Sequence, residues 1–248
     1  MTAKKYFFLT SLPRCGNTFL SILLNQHKKI KVGANSILPE IFNSLFLLKR
    51  DEKFLNFPDH HSLDNVIKNV FDSYYKDWDC DYIIDRSSWG GKFNLDIVNT
   101  LFKKNKFIIL KRPMVEIMNS FVELFEEKDR KKYIDFLFKE NSVLTNNIKS
   151  IKNILTSEED SITINYVDLV KDHKRVISNV FNFLNINEKP LDKYKLEQYN
   201  INGVVYEDGI KDMHKIKQWD EINIINKNQF LSKDIVLKCK EIDKHLWS

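Results

Sequence analysis

Two stretches carry residue types and spacings suited to gripping an anion. Residues 11–18 read SLPRCGNT, a turn with one arginine and one glycine that opens a helix, and residues 112–120 read RPMVEIMNS, an Arg-Pro pair with a serine eight residues after the arginine. Each follows a short apolar run, FFL before the first and FIIL before the second. A strand that turns into a helix through a glycine presents backbone N–H groups and the helix's positive end to a phosphate-like ligand. A guanidinium adds a planar two-pronged fork for a dianion, and a hydroxyl adds a short hydrogen bond. With Pro113 in the first turn, Ser120 falls about two turns along the helix, on the side of the chain entry.

The first turn departs from the nucleotide-hydrolase pattern GxxxxGK[ST]. Ser11 stands at the first glycine and Asn17 at the lysine that would reach the β and γ phosphates. Arg14, inside the turn, supplies the positive charge instead. The chain has only six arginines among 39 basic residues, and three of them, Arg14, Arg86 and Arg112, fall directly after predicted strands. Plainer roles exist for each: an exposed turn arginine at 14, a salt bridge to Asp85 at 86, and an ion pair between Arg112 and Glu116 across one helical turn.

The elements that must position these residues alternate. Short apolar or β-branched runs at Tyr6–Thr10, Ile30–Val32, Asp81–Ile84, Lys106–Leu110 and Ser161–Asn165 predict strands. Helical periodicity between and after them predicts helices near 17–27, 37–49, 62–76, 93–103, 113–126, 131–156, 167–185 and 233–246. This is the pattern of an α/β protein, a parallel sheet of about five strands flanked by helices. Ligands of such sheets sit outside the carboxyl ends of the strands, so SLPRCGNT, GANS, DRSSWGG and KRP are the segments to inspect. Residues 190–232 have weak periodicity and predict an irregular cap.

Composition sets the class. At 248 residues, with 43% hydrophobic and 29% charged residues, one soluble domain over 1–248 is expected. The net charge of +5 is spread along the chain rather than clustered, which favours small anionic ligands and argues against nucleic acid. The longest apolar run, ILPEIFNSLFLL, is too short for a bilayer, and the N-terminus lacks a signal-peptide pattern, so no membrane partner and a cytoplasmic location are expected. Cys15, Cys80 and Cys239 have no CxxC spacing, and His60 and His61 have no ligand-like partners, so no disulfide and no metal site are expected.

LPRCGNT resembles the PKSGTT or PRSGTT loop of the sulfotransferases, nearest the protein-tyrosine sulfotransferase branch and its bacterial and viral relatives, with Cys15 replacing the usual serine. The resemblance implies a P-loop NTPase-like fold and the co-substrate 3'-phosphoadenosine 5'-phosphosulfate (PAPS), whose 5'-phosphosulfate is held by Arg14, Cys15, Gly16, Asn17 and Thr18. It assigns the 3'-phosphate to Arg112 and Ser120, and places Arg86 where the family carries a lysine that neutralises the bridging oxygen. SITINYVDLV followed by NVFNFLNI implies Tyr166 beside the adenine, and HKIKQWD implies Lys217 and Trp219 over the nucleotide.

Sulfuryl transfer needs in-line placement, charge neutralisation and a base. Arg14 and Arg86 meet the charge requirement without a metal. The family's glutamate after the second strand is missing, since VGANS puts Ala34 and Asn35 there. Glu40 is the expected base and Asp85 the next choice, although a glutamate in a helix's first turn is also favoured by the macrodipole alone. The acceptor is a hydroxyl on a saccharide, a small molecule or a tyrosyl protein. The competing readings are a P-loop kinase or hydrolase using ATP and Mg²⁺, and an inactive nucleotide-binding protein.

Overall fold

The computed structural model describes residues 4–192, 194–198, 200–201, 204–205, 214, 216 and 230–248. Five strands, β1 (Lys5–Leu9), β2 (Ile30–Val32), β3 (Tyr82–Arg86), β4 (Lys106–Lys111) and β5 (Asp160–Asn165), form one all-parallel sheet in the order β2-β3-β1-β4-β5. Helices α1 (Asn17–Asn25), α2 (Leu38–Leu48), α3 (Glu52–Asn56), α4 (His60–Tyr74), α5 (Lys92–Leu101), α6 (Met114–Val122), α7 (Glu127–Leu137), α8 (Val143–Leu155), α9 (Tyr166–Lys171), α10 (His173–Leu184) and α11 (Lys233–Leu246) connect and flank it. A separate antiparallel pair, β6 (Asn200–Ile201) and β7 (Val204–Val205), lies within the segment expected to be an irregular cap.

The strand order creates a switch point. From β1 the chain travels toward β2 on one edge, whereas from β4 it travels toward β5 on the other. The two connections therefore diverge from adjacent strands, leaving a crevice at their carboxyl ends. Register extends this edge to β3, because Leu9 pairs with Arg86 on one side and Ile108 on the other. The ends of β3, β1 and β4, and with them the three arginines, open onto the same edge.

Side chains on opposite faces of β1 enter different packing layers, as a period of two demands. Tyr6 and Phe8 both meet Phe71 of α4 and Phe102 beyond α5, and Phe8 also packs on Trp89 and Phe107. Phe7 stacks on Tyr82 instead. Phe8, Trp89 and Phe107 are fully buried, so the strand that carries the first anion turn is anchored by aromatic packing directly beneath it.

Three expectations about the elements change. The single helix expected over 131–156 is two, because Asn141 adopts φ 60° and the Ser142 hydroxyl then accepts a 3.1 Å hydrogen bond from Thr145 N–H to cap α8. The helix expected over 167–185 breaks at Asp172, whose carboxylate accepts from Arg175 N–H at 3.3 Å and caps α10. A short helix, α3, was not expected, and His60 and His61 stand exposed in the first turn of α4.

Gly90, after β3, is a point of close approach: a Cβ there would stand 2.1 Å from the Ser150 carbonyl oxygen and 2.6 Å from Ile154 of α8. Gly90→Ala is expected to destabilise the fold by about 1–3 kcal/mol, read as a lower urea midpoint. An unchanged midpoint would mean that α8 yields at this contact without cost.

Candidate active site at the switch point

The turn after β1 is shaped by two residues with positive φ, Arg14 at 64° and Gly16 at 101°. Positive φ at alternate residues turns successive N–H groups toward one concavity. A Cβ on Gly16 would also lie 2.5 Å from Cδ2 of Tyr166, so only glycine lets the turn settle on that ring. α1 then begins with no side-chain cap and no acidic residue in its first turn, whereas α4, α8 and α10 are capped by Asp59, Ser142 and Asp172. Its positive end, with half-buried Thr18 in the first turn, is presented to the crevice.

The side chains of the turn mostly brace it from within. Asn17 is buried; its amide nitrogen donates to the Leu12 carbonyl at 3.1 Å and its amide oxygen accepts from the Ser11 hydroxyl. Cys15 is fully buried and its thiol donates to the Leu110 carbonyl of β4 at 3.1 Å. Burial pushes that thiol up from its ordinary range, despite the nearby Arg112 guanidinium, so it stays protonated. Cys15 and Asn17 therefore tie their side chains to protein, and the part they offer a ligand is the backbone.

Arg14 and the Arg112–Ser120 element meet directly. Arg14 Nε donates to Ser120 Oγ at 3.1 Å, and Arg112 Nη1 donates to the Arg14 carbonyl at 2.9 Å. Arg112 Nε donates to Glu116 Oε2 at 3.1 Å, and the guanidinium lies over the ring of Tyr166, 4.3 Å from its centroid. The Arg112–Glu116 pair thus forms as the helical spacing allows, together with a link to the first turn that spacing alone did not require. Arg112 is only 5% exposed. Tyr166 opens α9 directly after β5, and it sits between Gly16 and Arg112, with one face on the guanidinium.

Arg86 ends β3, in register with Leu9. Its Nη1 is buried without a hydrogen-bond acceptor among the described residues. A buried guanidinium nitrogen lacking an acceptor is costly, and a ligand anion is the chemistry that would satisfy it. The loop beyond is fastened to the first turn by Ser87 N–H donating to the Leu9 carbonyl at 3.2 Å and Thr10 Oγ1 donating to the Ser87 carbonyl at 2.9 Å.

Of the two carboxylates considered as base, Asp85 is 1% exposed; one oxygen accepts from Trp89 Nε1 at 2.7 Å and the other from the Tyr75 hydroxyl. Both its oxygens are committed to the core. Glu40 lies exposed in the first turn of α2, close enough for its charge to act on Asp85. Ser36 joins these elements, its N–H donating to the Arg86 carbonyl at 3.1 Å and its hydroxyl accepting from Leu38 N–H at 3.1 Å. Lys217 and Trp219 lie outside the described residues. No group of three or more metal-ligating side chains occurs among the described residues, and no described helix is long and apolar enough to cross a membrane.

Sequence reasoning did not find the cleft of about 620 Å³ beside Arg112 and Tyr166, where Lys111 and Asp168 face Asp243 and Trp247 of the C-terminal segment. Asp243 accepts from Met114 N–H at 2.9 Å and so caps α6 from a distant part of the chain. No local pattern marks such a partner.

The family described as the sulfotransferase family matches residues 7–190, which include every element of the site up to β5 and α9. The chain belongs to the sulfotransferase family. Solved structures agree at the level of fold. The sulfotransferase domain of the Synechococcus PCC 7002 olefin synthase aligns with a TM-score of 0.58 and 18% identity, over 100% of this chain and 97% of that one. A mouse sulfotransferase complexed with PAP aligns with a TM-score of 0.59 and 10% identity, over 98% and 84%. A sulfotransferase from Alicyclobacillus acidocaldarius gives 0.51 and 14%, over 80% and 87%. No curated protein matches the sequence.

Within this sulfotransferase, burial pushes the Asp85 carboxyl up to about 6, against hydrogen bonds from Tyr75, Trp89 and Ser36, and the Glu40 charge adds to the rise. A carboxyl raised above its unfolded value contributes most to stability when protonated; that contribution is present below about pH 4 and is lost as pH rises through about 6. Between those pH values the stability of Asp85→Asn relative to wild type is expected to improve by on the order of 3 kcal/mol, measured by urea denaturation. A difference that stays constant with pH would show that Asp85 ionises as an ordinary exposed carboxyl.

Proposed function

We propose that the crevice binds PAPS and transfers its sulfuryl group to a hydroxyl-bearing acceptor. The observation that carries this reading is the convergence of Arg14, Arg112 and Ser120, joined by hydrogen bonds, beside an uncapped helix end. Two anionic ends of one nucleotide need two cationic subsites within reach of each other, and the closeness of Arg14 to Arg112 supports that reading. PAPS brings an activated sulfuryl group already bonded to a phosphate leaving group.

The chain's own residues divide the remaining work. Loop N–H groups, Arg14 and Thr18 would hold the phosphosulfate for in-line transfer. Arg86, whose Nη1 lacks an acceptor among the described residues, would neutralise charge on the bridging oxygen as the bond breaks. Arg112 and Ser120 would take the 3'-phosphate, with Tyr166 supporting Arg112 from beneath. The acceptor proton would pass to Glu40, because it is exposed at the start of α2, while Asp85 is enclosed. Lys217 remains the candidate to close over the nucleotide.

Against the kinase or hydrolase reading, Asn17 stands where the phosphate-reaching lysine belongs, and its side chain is spent on Leu12 and Ser11. Calorimetry is expected to show binding of adenosine 3',5'-bisphosphate without metal and at least about tenfold weaker binding of ATP-Mg²⁺, a gap of about 1.4 kcal/mol. Stronger ATP-Mg²⁺ binding would overturn the donor assignment. In single-turnover transfer from labelled PAPS to a panel of saccharide, phenol and tyrosyl-peptide acceptors, Glu40→Gln should slow transfer by about 100-fold or more with donor affinity intact. Wild-type rates in that variant would remove Glu40 from the mechanism, and no transfer by wild type to any acceptor would favour an inactive binder.

A further inference from the structure

Glu116 is a nearly buried carboxylate inside a site built to attract anions. Its side chain is 13% exposed and that of Arg112 6% exposed, with Nε to Oε2 at 3.1 Å. On charge alone this is a poor arrangement, since an acid next to the phosphate-binding arginine weakens the field the phosphate would feel. Removing Glu116 would then tighten binding. Its geometry suggests the opposite effect.

A guanidinium has five N–H donors in a fixed plane. Glu116 takes the one on Nε and the Arg14 carbonyl takes one on Nη1, while the Tyr166 ring lies against the plane. These three restraints come from different elements, α6, the first turn and α9, and together they fix both the direction and the roll of the group. Neither of the two hydrogen-bond restraints uses Nη2, and that edge of the group completes the fork for a ligand. Because one restraint is the Arg14 carbonyl, and Arg14 itself holds Ser120 through Nε at 3.1 Å, the aim of Arg112 and the placement of Ser120 are parts of one network.

The geometry points to Glu116 as a positioning residue that aims Arg112 at the 3'-phosphate and so sets the preference for a 3'-phosphorylated nucleotide. This rests on the donor reading above. A long side chain held in advance loses less rotamer freedom on binding, which is how a carboxylate that touches no ligand raises affinity for one phosphate and not the other.

The test compares dissociation constants of adenosine 3',5'-bisphosphate and adenosine 5'-phosphate for wild type, Glu116→Ala, Glu116→Gln and Glu116→Asp, with thermal unfolding followed in parallel. Wild type should prefer the bisphosphate. Glu116→Ala should shrink that preference by about tenfold and leave affinity for the 5'-phosphate within about twofold. Glu116→Gln, which keeps an oxygen acceptor at the same reach, should retain most of the preference. Glu116→Asp keeps the charge but draws it back by one methylene, and should lose more than Glu116→Gln. That last comparison decides the matter if the alanine variant does not fold. An unchanged or larger preference in Glu116→Ala, an equal loss for both ligands, or an aspartate variant that outperforms the glutamine one would overturn the role. If wild type itself fails to prefer the bisphosphate, the donor reading fails first and the Glu116 role with it.

Discussion

The molecule is organised around the parallel pairing of β3, β1 and β4, which delivers Arg86, Arg14 and Arg112 to one edge of the sheet. Three guanidinium groups gathered in this way repel one another and are partly stripped of water, a combination that folding alone would not select. The protein offsets the cost unevenly. Arg112 is paired, bonded to a carbonyl and stacked on Tyr166, whereas Arg86 retains a buried nitrogen with no acceptor among the described residues.

The same edge explains how the first turn works without the lysine of a nucleotide triphosphatase. Its side chains are directed inward: Asn17 to Leu12 and Ser11, Cys15 to Leu110 of the neighbouring strand. Its backbone is shaped by Arg14 and Gly16 at positive φ and rests on the Tyr166 ring. The positive charge enters from within the turn, at Arg14, and from the end of β4, at Arg112. The Cys15 side chain serves to fasten the turn to β4.

At the other end of the crevice, the sheet and α2 are joined through Asp85, Tyr75, Trp89 and Ser36. Burial raises the Asp85 carboxyl to about 6, and the Tyr75 hydroxyl and Trp89 indole commit both its oxygens to the core. Glu40, in the first turn of α2, is exposed. The two acids differ in their access to water, and burial is what raises the Asp85 carboxyl.

Much of this was legible in the chain itself. Alternating apolar runs gave five parallel strands, because strand and helix periodicity are local and survive without knowledge of neighbours. The turn at 11–18 and the Arg112–Ser120 spacing were likewise local, as was the Arg112–Glu116 pair, one turn apart on a helix. The breaks at Ser142 and Asp172 were missed although capping residues marked them, since apolar periodicity continued across both. What the sequence could not decide was every contact across the sheet: that Arg14 reaches Ser120, that Tyr166 fills the space over Gly16 and braces Arg112, that Asp85 is sealed by Tyr75 and Trp89, and that Asp243 caps α6. Those pairings depend on which strands lie side by side, and strand order is settled by how the whole core packs, not by any pattern along the chain.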